Sequence, residues 1–146
     1  MSRNLFLIFG IAGLIIFSFL VVQKFGSKTY DNDGVGIRFR YPDEYSLEKG
    51  NIDGGFEIIL TKDKPGGEAP PAIRVSFAKD RDLPSGIQGV LSGKPSVSYK
   101  TDGLYAGEAV SVLNRGYMIT MSDEYITSDD QIRKDFQKIL ETVELY

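Results

Sequence analysis

Apolar and polar positions follow three patterns along this chain, and the first of them is a continuous apolar run. Leu5 to Val22 contains no charged residue and spans 18 positions. A helix of that length rises about 27 Å, which is close to the hydrocarbon thickness of a bilayer. The run therefore predicts a transmembrane helix, marked along its length by Leu5, Phe9, Leu14, Phe19 and Val22.

The second pattern is an alternation of apolar and polar residues, which is typical of half-buried strands. It predicts strands at 35–41, 56–61 and 73–78, with inward positions Ile37, Phe39, Tyr41, Phe56, Ile58, Leu60, Ile73, Val75 and Phe77. Short strands are also predicted at 45–48 and 97–100. A further hairpin is predicted from 104–113 and 117–122, closed by a turn at 114–116 in which Gly116 supplies the left-handed conformation.

The third pattern is a helical period near the carboxyl end. One stripe holds the apolar residues Ile132, Phe136, Ile139, Leu140 and Val143. Ser128 and Gln131 have the spacing of a capping box, which predicts a helix from about Asp129 to Val143. A second, short helix is predicted within 82–92, beginning near Pro84 because proline suits a first helical turn.

Together these patterns predict an α+β fold with two parts. Residues 1–28 form an N-terminal transmembrane helix and linker, and residues 29–146 form one domain. In that domain an antiparallel β-sheet is covered by the C-terminal helix. The proline- and glycine-rich stretch 62–71 is predicted to be a long hairpin loop.

Charge and composition exclude several functions. Arg3, Lys24 and Lys28 flank the apolar run, so the remaining chain carries 14 basic and 20 acidic residues, a net charge of −6. An acidic domain of this kind is a poor nucleic-acid binder. The absence of cysteine and histidine removes thiol nucleophiles, histidine-containing triads and the usual zinc sites, so no cofactor or metal site is predicted.

The apolar run admits three interpretations. A cleaved signal peptide would have a shorter apolar run and a small-residue cleavage site, and VVQKFGS offers none. A type IV pilin helix normally carries a glutamate near its start, and this run has none. An uncleaved signal anchor is preferred, with the amino terminus inside and the domain outside the cytoplasm, although the flanking charges nearly balance.

The first predicted strand carries a family resemblance. The stretch 36–42, GIRFRYP, resembles the opening G-[IVF]-x-[FI]-x-Y-P of PsbP-like domains, a family that includes the extrinsic photosystem II protein and bacterial relatives. Tyr45 stands where that family often has tryptophan, and Ile139-Leu140 matches the end of its C-terminal helix. The resemblance implies an α/β sandwich used for binding or assembly, in a membrane-anchored bacterial member. It transfers no metal-binding or photosystem-binding residue to this chain.

Two groups of charged residues are candidate sites. Arg38, Arg40 and Arg74 are predicted to share the outer face of neighbouring strands, with Glu57 between them. They are either an anion or partner contact or ordinary cross-strand ion pairs, and ion pairing is favoured.

The second group is acidic. Asp123 and Glu124, with Asp102, could form the paired carboxylates that glycosidase chemistry requires. Solvated loop residues are the favoured interpretation of this group.

The function hypothesis is a membrane-anchored extracytoplasmic domain that is not an enzyme and that binds a protein or envelope partner. Two alternatives remain open. One is a carboxylate-based hydrolase using Asp123 or Glu124. The other is a carrier of a small apolar ligand held between the sheet and the helix.

Overall fold

Strands dominate the computed structural model, which describes residues 26–62, 72–101, 107–124 and 130–146. Within these ranges there are ten strands and one helix. In chain order they are β1 (Ser27–Asn32), β2 (Ile37–Pro42), β3 (Ser46–Ile52), β4 (Gly55–Thr61), β5 (Ala72–Lys79), β6 (Ile87–Leu91), β7 (Lys94–Thr101), β8 (Gly107–Asn114), β9 (Tyr117–Glu124), α1 (Asp130–Glu141) and β10 (Glu144–Leu145).

The strands form two antiparallel sheets. The large sheet has seven strands in the order β3-β4-β5-β9-β8-β7-β6, and the small sheet has three in the order β1-β2-β10. Two tight turns in the large sheet place a non-glycine residue and then a glycine in the left-handed region: Ser92-Gly93 at φ 49° and 76°, and Arg115-Gly116 at φ 49° and 77°. Such pairs match the twist of the strands that they join, which explains the β6–β7 and β8–β9 hairpins.

The small sheet and α1 together cover one face of the large sheet, called the inner face below. Its side chains include Ile58, Ile73, Val75 and Phe77, all fully buried. The small sheet contributes Phe39, and the helix contributes Ile132, Phe136 and Ile139, to one continuous hydrophobic core. The other face of the large sheet is its outer face, on which Glu57 and Arg74 lie.

Asn114 joins the two layers at the end of β8. It is 3% exposed, and its Nδ2 donates to the carbonyl oxygens of Val35 and Gly36, both at 2.8 Å. Its Oδ1 accepts a hydrogen bond from Lys94 Nζ at 2.7 Å. A side-chain amide therefore ties the hairpin of the large sheet to the segment that enters β2.

The strand alternations predicted from the sequence are confirmed. In β2 the pattern of exposed and buried residues places Phe39 inside and Arg38 and Arg40 outside. The C-terminal helix is confirmed over Asp130–Glu141 with its apolar stripe inward. The predicted capping residue Ser128, and all of the predicted loop at 62–71 except Lys62, lie outside the described residues.

The predicted α+β fold class is wrong, because the described part of the chain is a mainly antiparallel β-sandwich with a single short helix. No helix in the described ranges is long and apolar enough to cross a membrane. The predicted transmembrane helix is not among the elements that the structure describes. The positions on which it was predicted, Leu5, Phe9, Leu14, Phe19 and Val22, lie outside those ranges.

The helix predicted within 82–92 is also wrong, since 87–91 is strand β6. Gly86 and Gly89 weaken a helix, whereas Ile87 and Val90 are β-branched and favour a strand. Pairing with β7 through the Ser92-Gly93 turn then decides the conformation. Strand β1 begins inside the predicted linker, which was expected to end at residue 28, and it pairs with β2 along its length.

Candidate functional site

The three arginines singled out in the sequence do not converge on one site, because they belong to different sheets. Arg38 and Arg40 lie on the exposed face of β2 in the small sheet. Arg74 lies on the outer face of β5, in the large sheet. The small sheet packs on the inner face of the large one, so these two arginine-bearing faces point in opposite directions.

Arg38 is part of a surface ion-pair cluster. Its guanidinium lies 2.6 Å from Asp31 and 3.7 Å from Glu144. The Tyr146 hydroxyl also donates to Asp31, and hydrogen bonds from Tyr146 and Arg38 lower the pKa of that carboxyl. Two guanidinium groups lie near the centre of the Tyr146 ring, that of Arg38 at 5.7 Å and that of Arg115 at 5.4 Å. The carboxylates around Arg38 make it part of a structural cluster at the chain's carboxyl end.

Arg74 is paired on both sides across its sheet. Glu57 on β4 accepts from Nη1, and Glu124 on β9 accepts from Nε at 3.0 Å. These contacts match the cross-strand ion pairs favoured from the sequence. The role of Arg74 as an anion or partner contact stays a prediction.

The carboxylates proposed for hydrolysis are separated by the pleat of β9. Glu124 lies on the outer face beside Arg74, whereas Asp123 lies on the inner face and is fully buried. Asp123 Oδ1 accepts from the Glu108 backbone N–H at 2.6 Å, while Oδ2 has no hydrogen-bond partner. Burial raises the pKa of Asp123 despite the Arg133 guanidinium, whose Nε lies 3.9 Å away.

This arrangement does not support the hydrolase alternative. A general acid or base must reach the proton it transfers, and Asp123 has no exposed surface. Asp102, the third carboxylate in that hypothesis, lies outside the described residues. Among the described residues no cluster of three or more histidine, cysteine or acidic side chains could hold a metal ion.

The feature that the sequence did not locate is an apolar cleft beside α1. The helix covers the centre of the inner face and leaves the β6–β8 end of the sheet open, because α1 packs against β2, β5 and β9. The resulting cleft has a volume of about 500 Å³. Its apolar walls are Leu91 and Val110 from the sheet and Phe136 and Leu140 from the helix.

The cleft mouth combines apolar and polar groups. Ile87 lies there on β6, with 78% of its surface exposed. The polar side chains of the lining are Ser96, Ser98, Lys100, Glu108, Gln137 and Glu141. A mainly apolar lining with a small number of polar groups is the usual composition of a small-molecule site, and the volume lies within the common range.

A second cleft, of about 600 Å³, lies at the other side of α1 and is built around charge. Its centre is Asp135, which is 2% exposed and accepts hydrogen bonds from Tyr45 Oη at 2.9 Å, Lys62 Nζ at 2.7 Å and Gln131 Nε2 at 2.9 Å. Lys62 also contacts Glu44 at 2.6 Å. Burial of the Lys62 ammonium opposes its charge, but the hydrogen bonds to both carboxylates leave its pKa raised. The charged groups of this cluster are paired with one another. We therefore interpret it as a structural contact, the buried joint, that holds α1 against the sheets.

The sequence contained a partial signal for each cleft. Leu140 was assigned to the apolar stripe of the helix, and Asp135 stands within that stripe, three residues after Ile132 and four before Ile139. A charged residue at such a position is expected to be buried. Ile87 was assigned to a helix, so its place at a sheet edge was missed.

Comparison with known proteins indicates a fold and no family. No family profile matches the chain, and no curated protein matches it in sequence. The solution structure of cyanobacterial PsbP (CyanoP) from Synechocystis sp. PCC 6803 is similar, with a TM-score of 0.57, 12% identity, and coverage of 82% of this chain and 92% of that chain. A crystal structure of a protein from Bacteroides thetaiotaomicron is also similar, with a TM-score of 0.54 and 10% sequence identity. The match covers 82% of this chain and 48% of that chain. The chain therefore has a PsbP-like fold, as the GIRFRYP resemblance implied.

Proposed function

We propose that this chain is a non-catalytic binding domain, and that the apolar cleft between α1 and strands β6–β8 is its binding site. The single observation that carries the proposal is the cleft itself, with its apolar walls and about 500 Å³ of space. Its ligand is a small molecule with an apolar body. The proposal combines two hypotheses drawn from the sequence: the chain is a binding domain, and it carries a small apolar ligand between the sheet and the helix.

The composition of the lining supports an apolar ligand over a charged one. Leu91 and Phe136 are almost fully buried at the base of the cleft, while Val110 and Leu140 are only half-buried. A ligand that covered the last two would remove apolar surface from water, at about 25 cal/mol for each Å². The charged residues of the lining are Lys100, Glu108 and Glu141, which are of both signs and leave a net charge of only −1.

A fluorescence titration tests the site. The uncharged probe N-phenyl-1-naphthylamine brightens in an apolar environment and can be titrated into the full chain. Ser98 lies on the inner face of β7 opposite Val110, so Ser98→Phe would place a ring in the cleft. Ser76→Phe is the matched control, since Ser76 lies on the outer face of β5 between Glu57 and Thr120 in register.

We expect Ser98→Phe to weaken probe binding at least about tenfold, which corresponds to 1.4 kcal/mol, while Ser76→Phe leaves it unchanged. Equal binding by both variants and by the unmodified chain would reject the cleft as the site. Native mass spectrometry of the purified chain provides a second measurement, because a retained apolar ligand adds a discrete mass.

The partner and location predictions are carried forward as proposals. We propose a protein or envelope partner and an extracytoplasmic position, on the basis of the acidic domain and the PsbP-like fold. Cell fractionation with external protease tests the position, and a fully protected domain would contradict it. Cross-linking in cells tests the partner.

A further inference from the structure

Within the described ranges, strand β6 is an edge of the large sheet that no other strand covers. Exposed edges present unpaired backbone groups, and proteins commonly guard them with charged side chains. Among the described residues, the other edge strands each contain charge: Lys28 and Asp31 in β1, Glu48 and Lys49 in β3, and Glu144 in β10. The sequence of β6 is IQGVL, with no charged residue.

The same strand carries the two most exposed large apolar side chains of the described chain. Ile87 is 78% exposed and Val90 is 74% exposed. They are three positions apart, so they project from opposite faces of the sheet. A partner packed on one face would cover only one of them, whereas a strand added along the edge would flank both.

We propose that β6 pairs with β6 of a second copy of this chain, in antiparallel orientation, to give a continuous sheet of two domains. Pairing centred on Gly89 sets Ile87 opposite Leu91 and Gln88 opposite Val90 of the other copy. The arrangement is self-complementary, as a two-fold interface requires. Gly89 meets Gly89 at the axis without a side chain on either strand.

The absence of charge favours a second copy as the occupant. Identical strands that carried charge would place like charges near each other at the axis, which is destabilising. β6 carries none, and its apolar residues lie on both sides of Gly89. The sheet edge and the cleft share residues of β6, Ile87 among them, but edge pairing extends the sheet and does not fill the cleft.

The interface predicts weak association. Each copy would contribute the five residues of β6, whereas each partner in a standard protein–protein interface contributes about 20–30 residues. We therefore expect a weak, reversible dimer that forms only at high protein concentration and dissociates on dilution.

Sedimentation velocity of the full chain over a concentration series up to about 1 mM tests the proposal. Val90→Lys and Ile87→Lys each add a charge to both copies and should weaken the dimer at least tenfold. Leu113→Lys is the matched control, because Leu113 is 44% exposed but lies on an interior strand, β8. Thermal unfolding of each variant verifies that it is folded.

Hydrogen exchange supplies a second measurement on the unmodified chain. Amides of β6 should become better protected as concentration rises, while amides of the other edge, β3, should not change. A chain that remains monomeric throughout the series would overturn the proposal. A dimer that survives both lysine substitutions would do the same, since it would use another surface.

Discussion

Replacing Tyr45 with phenylalanine would remove one hydroxyl from the buried joint around Asp135 and keep the aromatic ring. Tyr45 is 1% exposed, so its ring is packed on all sides. Its Oη donates to Asp135 Oδ2 at 2.9 Å, the oxygen that also accepts from Lys62 Nζ at 2.7 Å. Gln131 Nε2 donates a hydrogen bond to the other carboxylate oxygen, Oδ1. The substitution therefore takes away one donor from a buried charge.

The magnitude follows from the partners that remain. A hydrogen bond to a charged group contributes about 1.5–3 kcal/mol. The Lys62 side chain is 25% exposed, so water that reaches its ammonium can compensate in part for the lost hydroxyl. We expect the free energy of unfolding to fall by about 1.5 kcal/mol, the lower end of that range.

Urea unfolding at pH 7, followed by far-ultraviolet circular dichroism, measures this change. The chain has no tryptophan, so backbone signal is the better probe. Tyr99→Phe is the matched control, because the Tyr99 hydroxyl is half-buried and 3.4 Å from Ser111 Oγ, a weak contact between neutral groups. It should cost about 0.5 kcal/mol or less.

Equal losses in the two variants would refute the reasoning, since the hydroxyl on Asp135 would then contribute no more than one on a neutral partner. A double-mutant cycle with Asp135→Asn isolates the pairwise energy. A coupling near zero between Tyr45 and Asp135 would lead to the same conclusion.

Three further predictions concern other buried or paired groups. Asn114→Ala leaves the two carbonyls that it binds without a donor, and urea unfolding should show a loss of about 2–3 kcal/mol. Burial raises the pKa of Asp123, so the stability of the folded state is greatest below the unfolded-state pKa, where the carboxyl is protonated in both states, and is lost as pH rises through the folded-state pKa. Asp123→Asn should therefore raise the melting temperature at pH 7, with a gain that shrinks on acidification, and a constant gain would contradict the assignment. Arg74→Met brings Glu57 and Glu124 together without a cation, and its cost of about 1 kcal/mol should decrease in 1 M NaCl.

Alternation predicted the strands whose two faces differ strongly. β2, β4 and β5 each place fully buried apolar residues on one side only, and that contrast is visible in the sequence. β1 has only Tyr30 as a buried residue, so it carries little signal and exists because β2 offers it a partner. β6 has four exposed residues out of five, and its Pro84 neighbour resembled a helix start.

Membership of a sheet is a tertiary property, which is why the arginine prediction grouped residues that lie apart. Arg38 and Arg74 occupy equivalent positions in their own strands, each between two buried residues. The sequence cannot show that β2 pairs with β1 and β10 and that β5 pairs with β4 and β9. The cleft depends on the same information, because it exists only where α1 stops short of the β6–β8 end.

The small sheet is built from strands at opposite ends of the described chain, and this has a consequence for synthesis of the chain. Its first two strands are completed by β10, and Thr142, just before β10, accepts a hydrogen bond from the Arg40 N–H across 102 positions of sequence. At a translation rate of 5–20 residues per second, that separation corresponds to roughly 5–20 s. For most of this interval β2 has neither α1 nor β10 to cover it on the nascent chain. Newly made copies should therefore depend on chaperones that shield apolar strands, and should fold slowly for their size because native contacts are so distant in sequence.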